Sequence, residues 1–180
     1  MSKKIYNLVI QWFFDHPQRA YHVRELGRLC HLDPLTARKY ADEFVKEGML
    51  QKRKERNHVL YQATTESAVY RWEKKFYNIM RLVKSGLLEH HEKEFNHPKT
   101  MILFGSFAKG ENDERSDIDL FILTEVKKEL SVEKFEKALG YPIQLFCHSQ
   151  AEFDKMKTMN KELLNNFLGG IKLSGSLEVF

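Results

Sequence analysis

The chain has 180 residues, 42% of them hydrophobic and 30% charged, which leaves room for one large domain or two small ones and argues against disorder. Its two cysteines, Cys30 and Cys147, stand far apart, excluding a disulfide framework and a CxxC metal or redox pair, as fits a reducing compartment. The apolar stretch at residues 5–14 is interrupted by Asn7 and Gln11 and is much shorter than the ~18 residues of a membrane span. It also lacks a small-residue cleavage site, so the expectation is a cytoplasmic protein with no membrane association.

The net charge of +4 is unevenly spread. Residues 1–64 carry 12 Lys and Arg against 7 Asp and Glu, whereas residues 99–180 carry 11 against 13. A basic front and an acidic back point to two modules with different partners.

Along Lys3–Asp15, the spacing of Ile5, Leu8, Val9, Trp12 and Phe13 predicts one apolar helix face, closed by His16-Pro17. Val23–Cys30 fits a short second helix burying Leu26 and Leu29. Asp33-Pro34 is an N-cap followed by a first-turn proline, and starts a third helix over Pro34–Lys46 that buries Ala37, Tyr40, Ala41 and Phe44. Gly48 follows as its stop signal. Residues 49–52 and 58–63 read as two strands around a polar turn at 53–57.

Three helices and a hairpin in about 65 residues is the winged helix-turn-helix order. The stretch "VRELGRLCHLDPLTARKYADEFVKEGMLQKRKERNHVLYQAT" resembles the DNA-binding domain of many bacterial and archaeal regulators. That resemblance implies a third helix that offers Leu35, Thr36, Arg38, Lys39 and Asp42 to a major groove of double-stranded DNA. The hairpin would bring Lys52, Arg53, Lys54 and Arg56 to the phosphates. The alternative is a solvated basic face on a protein-contact module.

Residues 67–95 read as one long helix. Trp72, Phe76, Ile79, Val83 and Leu87 form a stripe on it, widened by Tyr70, Met80 and Leu88, and Gly86 weakens the pattern without breaking it. The stripe packs either on a flanking domain or on a second copy of the chain, a homodimer by analogy with winged-helix regulators. His90, His91 and His97 have no carboxylate or cysteine at ligand spacing and read as solvent-exposed.

Thr100–Phe104 is a strand-like apolar run that ends at Gly105-Ser106. The glycine lets a phosphate approach the backbone, and the Ser106 hydroxyl can donate to it. Asp117 and Asp119 lie two apart at a second apolar strand, Ile118–Leu123, and therefore project from one face. Paired carboxylates beside a phosphate turn suit Mg²⁺, which shares its positions with substrate phosphates, and two such ions about 3.5–4 Å apart would stabilise the attacking and the leaving oxygen of an in-line displacement.

"GSFAKGENDERSDIDL" has Gly-Ser, ten residues, then Asp-x-Asp. It resembles the signature of the DNA polymerase β-type nucleotidyltransferase superfamily, in particular its minimal, mostly prokaryotic members. The likeness extends over roughly residues 98–180, and "LLNNFLGGIKLSG" looks like the closing helix and strand. The resemblance implies an NTP held by Gly105 and Ser106, catalytic Asp117 and Asp119 binding Mg²⁺, and transfer of NMP to an acceptor with release of pyrophosphate.

One position departs from the family pattern. Active members carry a third carboxylate on a later strand, and residues 141–149 have Gln144 there, which has no charge and cannot act as a base. Glu125, Glu133, Glu136 and Glu152 are near in sequence but not at an evident strand position. Cys147 reads as packing and His148 as a polar contact at the strand end.

The expected architecture is α+β: a winged helix-turn-helix domain over residues 1–66, a linking helix over 67–96, and a nucleotidyltransferase domain with a mixed sheet over 97–180. The expected function is Mg-dependent nucleotidyl transfer to a protein, nucleic-acid or small-molecule acceptor, coupled to DNA binding. Two other readings stay open: a transcriptional regulator whose second domain binds nucleotide or a partner without efficient turnover, and an antitoxin-like module that modifies a partner protein.

Overall fold

The computed structural model describes residues 2–178. The chain divides into two compact units, Met1–Lys74 and Lys75–Phe180. Among the described residues no helix is long and apolar enough to cross a membrane.

The first unit opens with α1 (Lys3–Asp15), whose buried side chains are Val9, Ile10, Phe13 and Phe14. Ile5, Leu8 and Trp12, expected on the buried face, are only half-buried. The buried face takes in both the Val9–Phe13 and the Ile10–Phe14 rows, which leaves Ile5, Leu8 and Trp12 at its edge. A two-residue strand, β1 (Tyr21–His22), leads into α2 (Val23–Cys30), which buries Leu26, Gly27 and Cys30 and leaves Leu29 half-covered.

Helix α3 (Pro34–Lys46) starts as its sequence requires. The Asp33 side chain accepts from the Thr36 N–H at 2.9 Å, and Ala37, Tyr40, Ala41 and Phe44 face inward. β2 (Leu50–Glu55) and β3 (His58–Ala63) then pair antiparallel in a sheet of order β1-β3-β2. The strand runs further than expected, so the turn shrinks to residues 56–57, with Arg56 at φ 52°. Arg53 and Lys54 therefore lie on a strand and point to opposite faces of it.

α4 (Ala68–Lys84) and α5 (Leu87–Glu94) replace the single long helix expected over 67–95. Gly86 breaks it: at φ 75° it sits in the left-handed region, where a helix cannot continue. The stripe divides accordingly. Leu87 is fully buried, whereas Trp72, Phe76 and Val83 are 69%, 60% and 49% exposed.

The second unit is a four-stranded mixed sheet of order β6-β5-β4-β7. β4 (Thr100–Phe104) runs antiparallel to β5 (Ile118–Leu123) and to β7 (Ile171–Gly175), while β5 and β6 (Ile143–His148) are parallel. Alternation along the strands makes two cores. Leu103, Ile118 and Leu120 pack with Leu87, Phe107 and, from α7 (Glu133–Leu139), Phe135. Phe104 and Phe121 pack on the other face with Phe153 of α8 (Gln150–Met159) and Phe167 of α9 (Lys161–Leu168). α6 (Gly105–Lys109) follows β4 directly.

Candidate active site and basic surface

The register of β4 against β5 sets Phe104 opposite Asp119, so the next residue, Gly105, falls beneath that carboxylate. A β-carbon on Gly105 would stand 2.2 Å from Asp119 Oδ2, and the residue has φ +68°. Both facts demand glycine there. Asp117 immediately precedes β5 rather than lying within it, and shares the parity of Asp119. The sheet thus brings Gly105, Asp117 and Asp119 together, with the half-buried Ser106 next in the chain.

Burial, and then the neighbouring charge of Asp117, push the Asp119 carboxyl above its ordinary pKa. Two like charges with one partly withdrawn from water form a site that gains from a bound cation. Gln144 is in register with Asp119 on the adjacent strand, and its Nε2 donates to Asp117 Oδ2 at 2.5 Å.

The four glutamates near Gln144 in sequence are bonded elsewhere or lie on a helix. Glu136 Oε1 accepts from the Ile143 N–H and Glu125 Oε1 from the Gln150 N–H, while Glu152 forms a capping box with Ser149. Glu133 lies in the first turn of α7. Among the described residues there is no cluster of three or more His, Cys, Asp or Glu able to hold a metal ion.

Two polar residues beside the site escaped the sequence reading. The buried Asn78 Nδ2 donates to the Phe107 carbonyl at 3.0 Å and to Asn112 Oδ1 at 2.8 Å, tying α4 to α6 and to the loop before β5. The signal lay in spacing: Asn78 precedes the buried Leu82 by four residues, so it shares the inward face of the helix. Within the loop, Asp113 Oδ1 accepts from the Arg115 N–H and the Ser116 hydroxyl, holding the approach to Asp117.

Three expectations on side chains need correction. His91 is fully buried rather than exposed: its Nδ1–H donates to the Leu87 carbonyl at 2.8 Å and its ring packs by Phe95 and Phe135. Cys147 is exposed rather than packed, because strand alternation turns it away from the α8–α9 core. His148 makes ring contacts with Phe121 and Phe167, and its Nδ1 is buried without a hydrogen-bond partner among the described residues.

In the first unit, Leu35, Arg38 and Lys39 of α3 are exposed, as are Lys52, Arg53, Lys54 and Arg56 of the hairpin; Thr36 is half-buried. Asp42 is not a free outward residue. It accepts from the Tyr61 hydroxyl at 2.9 Å and from Lys52 Nζ at 3.0 Å, and pairs with Arg38 at 3.5 Å. Burial alone would raise its pKa, but the bonds from Lys52 and Tyr61 hold it below the usual carboxylate value. Asp42 thereby fixes α3 to both strands of the hairpin and orients two of the basic side chains.

No curated protein matches the chain. Among solved structures, a DNA-binding protein from Sulfolobus solfataricus, Sso10a-2, aligns with 52% of this chain and 96% of its own at 17% identity and a TM-score of 0.36, too distant a likeness to assign a fold. Residues 80–164, the stretch that holds Gly105, Ser106, Asp117, Asp119 and Gln144, match the family of nucleotidyltransferase domains.

Proposed function

We propose that the second unit transfers a nucleoside monophosphate from an NTP to an acceptor hydroxyl with Mg²⁺, and that the first is a winged-helix module that binds double-stranded DNA. The observation that carries the first claim is the Asp119 carboxylate lying over Gly105 with Asp117 beside it. Two crowded carboxylates are a fitting donor set for Mg²⁺, which takes one or two such ligands and completes its shell with phosphate oxygens and water. When bound, the ion would offset charge on the phosphates and on the leaving oxygen.

The chain's own residues do the positioning. Gly105 admits the polyphosphate to the backbone, and Ser106 offers a hydroxyl donor. The acceptor oxygen bonds to the α-phosphorus as the bond to the bridging oxygen of the β-phosphate breaks, and pyrophosphate leaves. The acceptor proton passes to solvent water, because an amide stands where a carboxylate base is expected. General-base catalysis contributes typically ~10²–10⁴-fold, so the reaction is slow by about that factor.

The test is label transfer from each α-³²P-NTP to acceptors in a cell extract. The expected result is Mg²⁺-dependent labelling that Asp119→Ala abolishes. Label on no protein, nucleic acid or small molecule, from a folded protein, rejects turnover. The second reading, a nucleotide-binding regulator without efficient turnover, is favoured by the Gln144–Asp117 hydrogen bond.

DNA binding is supported by the exposed cations of α3 and the hairpin and by the order of three helices and an antiparallel sheet. Affinity should fall steeply with salt. Neutralising Lys54 and Arg56 should lower the slope of log K against log[salt] by about 0.9 for each phosphate whose charge is then left unpaired. A salt-independent affinity would reject the proposal. Paired DNA half-sites require two copies, and the exposed apolar face of α4 fits a second copy of this chain.

A further inference from the structure

Building on the nucleotide site proposed above, we infer that Gln144 restricts this site to one divalent cation per bound nucleotide, so that it holds a single metal–NTP complex and not a two-metal pair.

β6 lies beside β5 in parallel, and Gln144 is the residue in register with Asp119. A third carboxylate at this position would add a negative donor beside the two aspartates. The amide there is neutral, and it presents nitrogen: Nε2 donates to Asp117 Oδ2 at 2.5 Å. One Asp117 oxygen is thus already engaged by an N–H, and turning the amide over would offer an uncharged oxygen only.

One dication is well served by what remains. It can take an oxygen from Asp119, one from Asp117, and the rest from phosphates and water. A second dication would stand about 3.5–4 Å from the first. At that distance the ions repel strongly, and bridging anionic ligands must offset the repulsion. Among the described residues no third acidic side chain joins Asp117 and Asp119 there. The described residues contain no cluster of three or more His, Cys, Asp or Glu able to hold a metal. Glu136, the carboxylate beside the start of β6, is already bonded to the Ile143 N–H. Gln144 is itself exposed, so the limit comes from its chemistry and not from a sealed wall.

The test counts Mn²⁺. The full chain is saturated with each α,β-methylene NTP in turn, and bound Mn²⁺ is measured by electron paramagnetic resonance alongside nucleotide retention. The wild type should bind one Mn²⁺ per chain with no spin-coupled pair. Gln144→Glu and Gln144→Asp should each bind two, with the broadened signal of neighbouring ions. Circular dichroism checks that both variants fold.

Two Mn²⁺ in the wild type would overturn the inference while leaving the nucleotide reading intact. A wild-type count of one that neither folded carboxylate variant raises would also overturn it, since the amide would then not be the limit. Failure of the folded wild type to retain any of the nucleotides with Mn²⁺ would instead overturn the nucleotide-site reading, and the inference with it.

Discussion

At Gly105 two independent demands fall on one residue. Its φ of +68° costs an L-residue roughly 1–2 kcal/mol, and a β-carbon would overlap the Asp119 carboxylate at 2.2 Å. Relief would require Asp119 to swing away, and its strand backbone is held by pairing with Phe104 and Gln144. Gly105→Ala should therefore lower stability by about 1–2 kcal/mol or more in urea unfolding and reduce labelling together with nucleotide retention. An alanine variant with wild-type stability and labelling would show that the carboxylate does not lie over the turn. The same crowding bears on Asp119: a carboxyl whose pKa is raised in the fold binds its proton more tightly there than in the unfolded chain. Its ionisation as pH rises through that pKa disfavours the folded state, a cost that comes first from burial and then from the charge of Asp117.

At the scale of elements, local chemistry was legible where it fixed local structure. Asp33-Pro34 announced α3, the apolar run 100–104 announced β4, and Gly-Ser with Asp-x-Asp marked the turn and strand that meet in space. Non-local features were hidden. The two-residue β1 exists only because β3 lies alongside it, and the expected long helix failed because Gly86 adopts a left-handed conformation that neighbouring stripe residues do not encode. His91 shows the same limit: its burial depends on Phe135 and Phe95, set around it by tertiary packing. Burial holds the His91 pKa below its ordinary 6.5, chiefly by desolvation and despite the bond to Leu87. The unfolded chain therefore takes up a proton that the folded one resists. Stability should be full above about pH 6.5 and fall as pH drops from there toward the lowered folded value. Urea unfolding from pH 7.5 to 5 checks this, with His91→Phe expected to flatten that part of the profile. A slope unchanged in the variant would place the acid sensitivity elsewhere.

Across the whole molecule, the distribution of charge and of exposed apolar surface bears on assembly. Val69, Trp72, Phe76 and Val83 follow helical spacing along α4, and they are 48%, 69%, 60% and 49% exposed. Burying a large apolar side chain is worth about 1.5–3 kcal/mol, so leaving Trp72 and Phe76 in water forgoes a sizeable gain. The exposed charges beside the stripe are ordered along it. Glu66 and Glu73 lie toward its beginning and Lys84 at its end. An antiparallel second copy would set those acids near the other helix's Lys84 and oppose the two helix dipoles, whereas a parallel copy would align like charges. Light scattering after gel filtration should give twice the mass of one chain at tens of micromolar protein. Phe76→Glu should return a monomer with an unchanged circular dichroism spectrum, because that side chain is exposed and its loss leaves both cores intact. A monomeric wild type, or a dimer that Phe76→Glu does not disturb, would remove α4 as the pairing surface. If the dimer is also what grips paired DNA half-sites, the Phe76→Glu monomer should bind a two-site duplex no more tightly than a single site, while the wild type gains from the second.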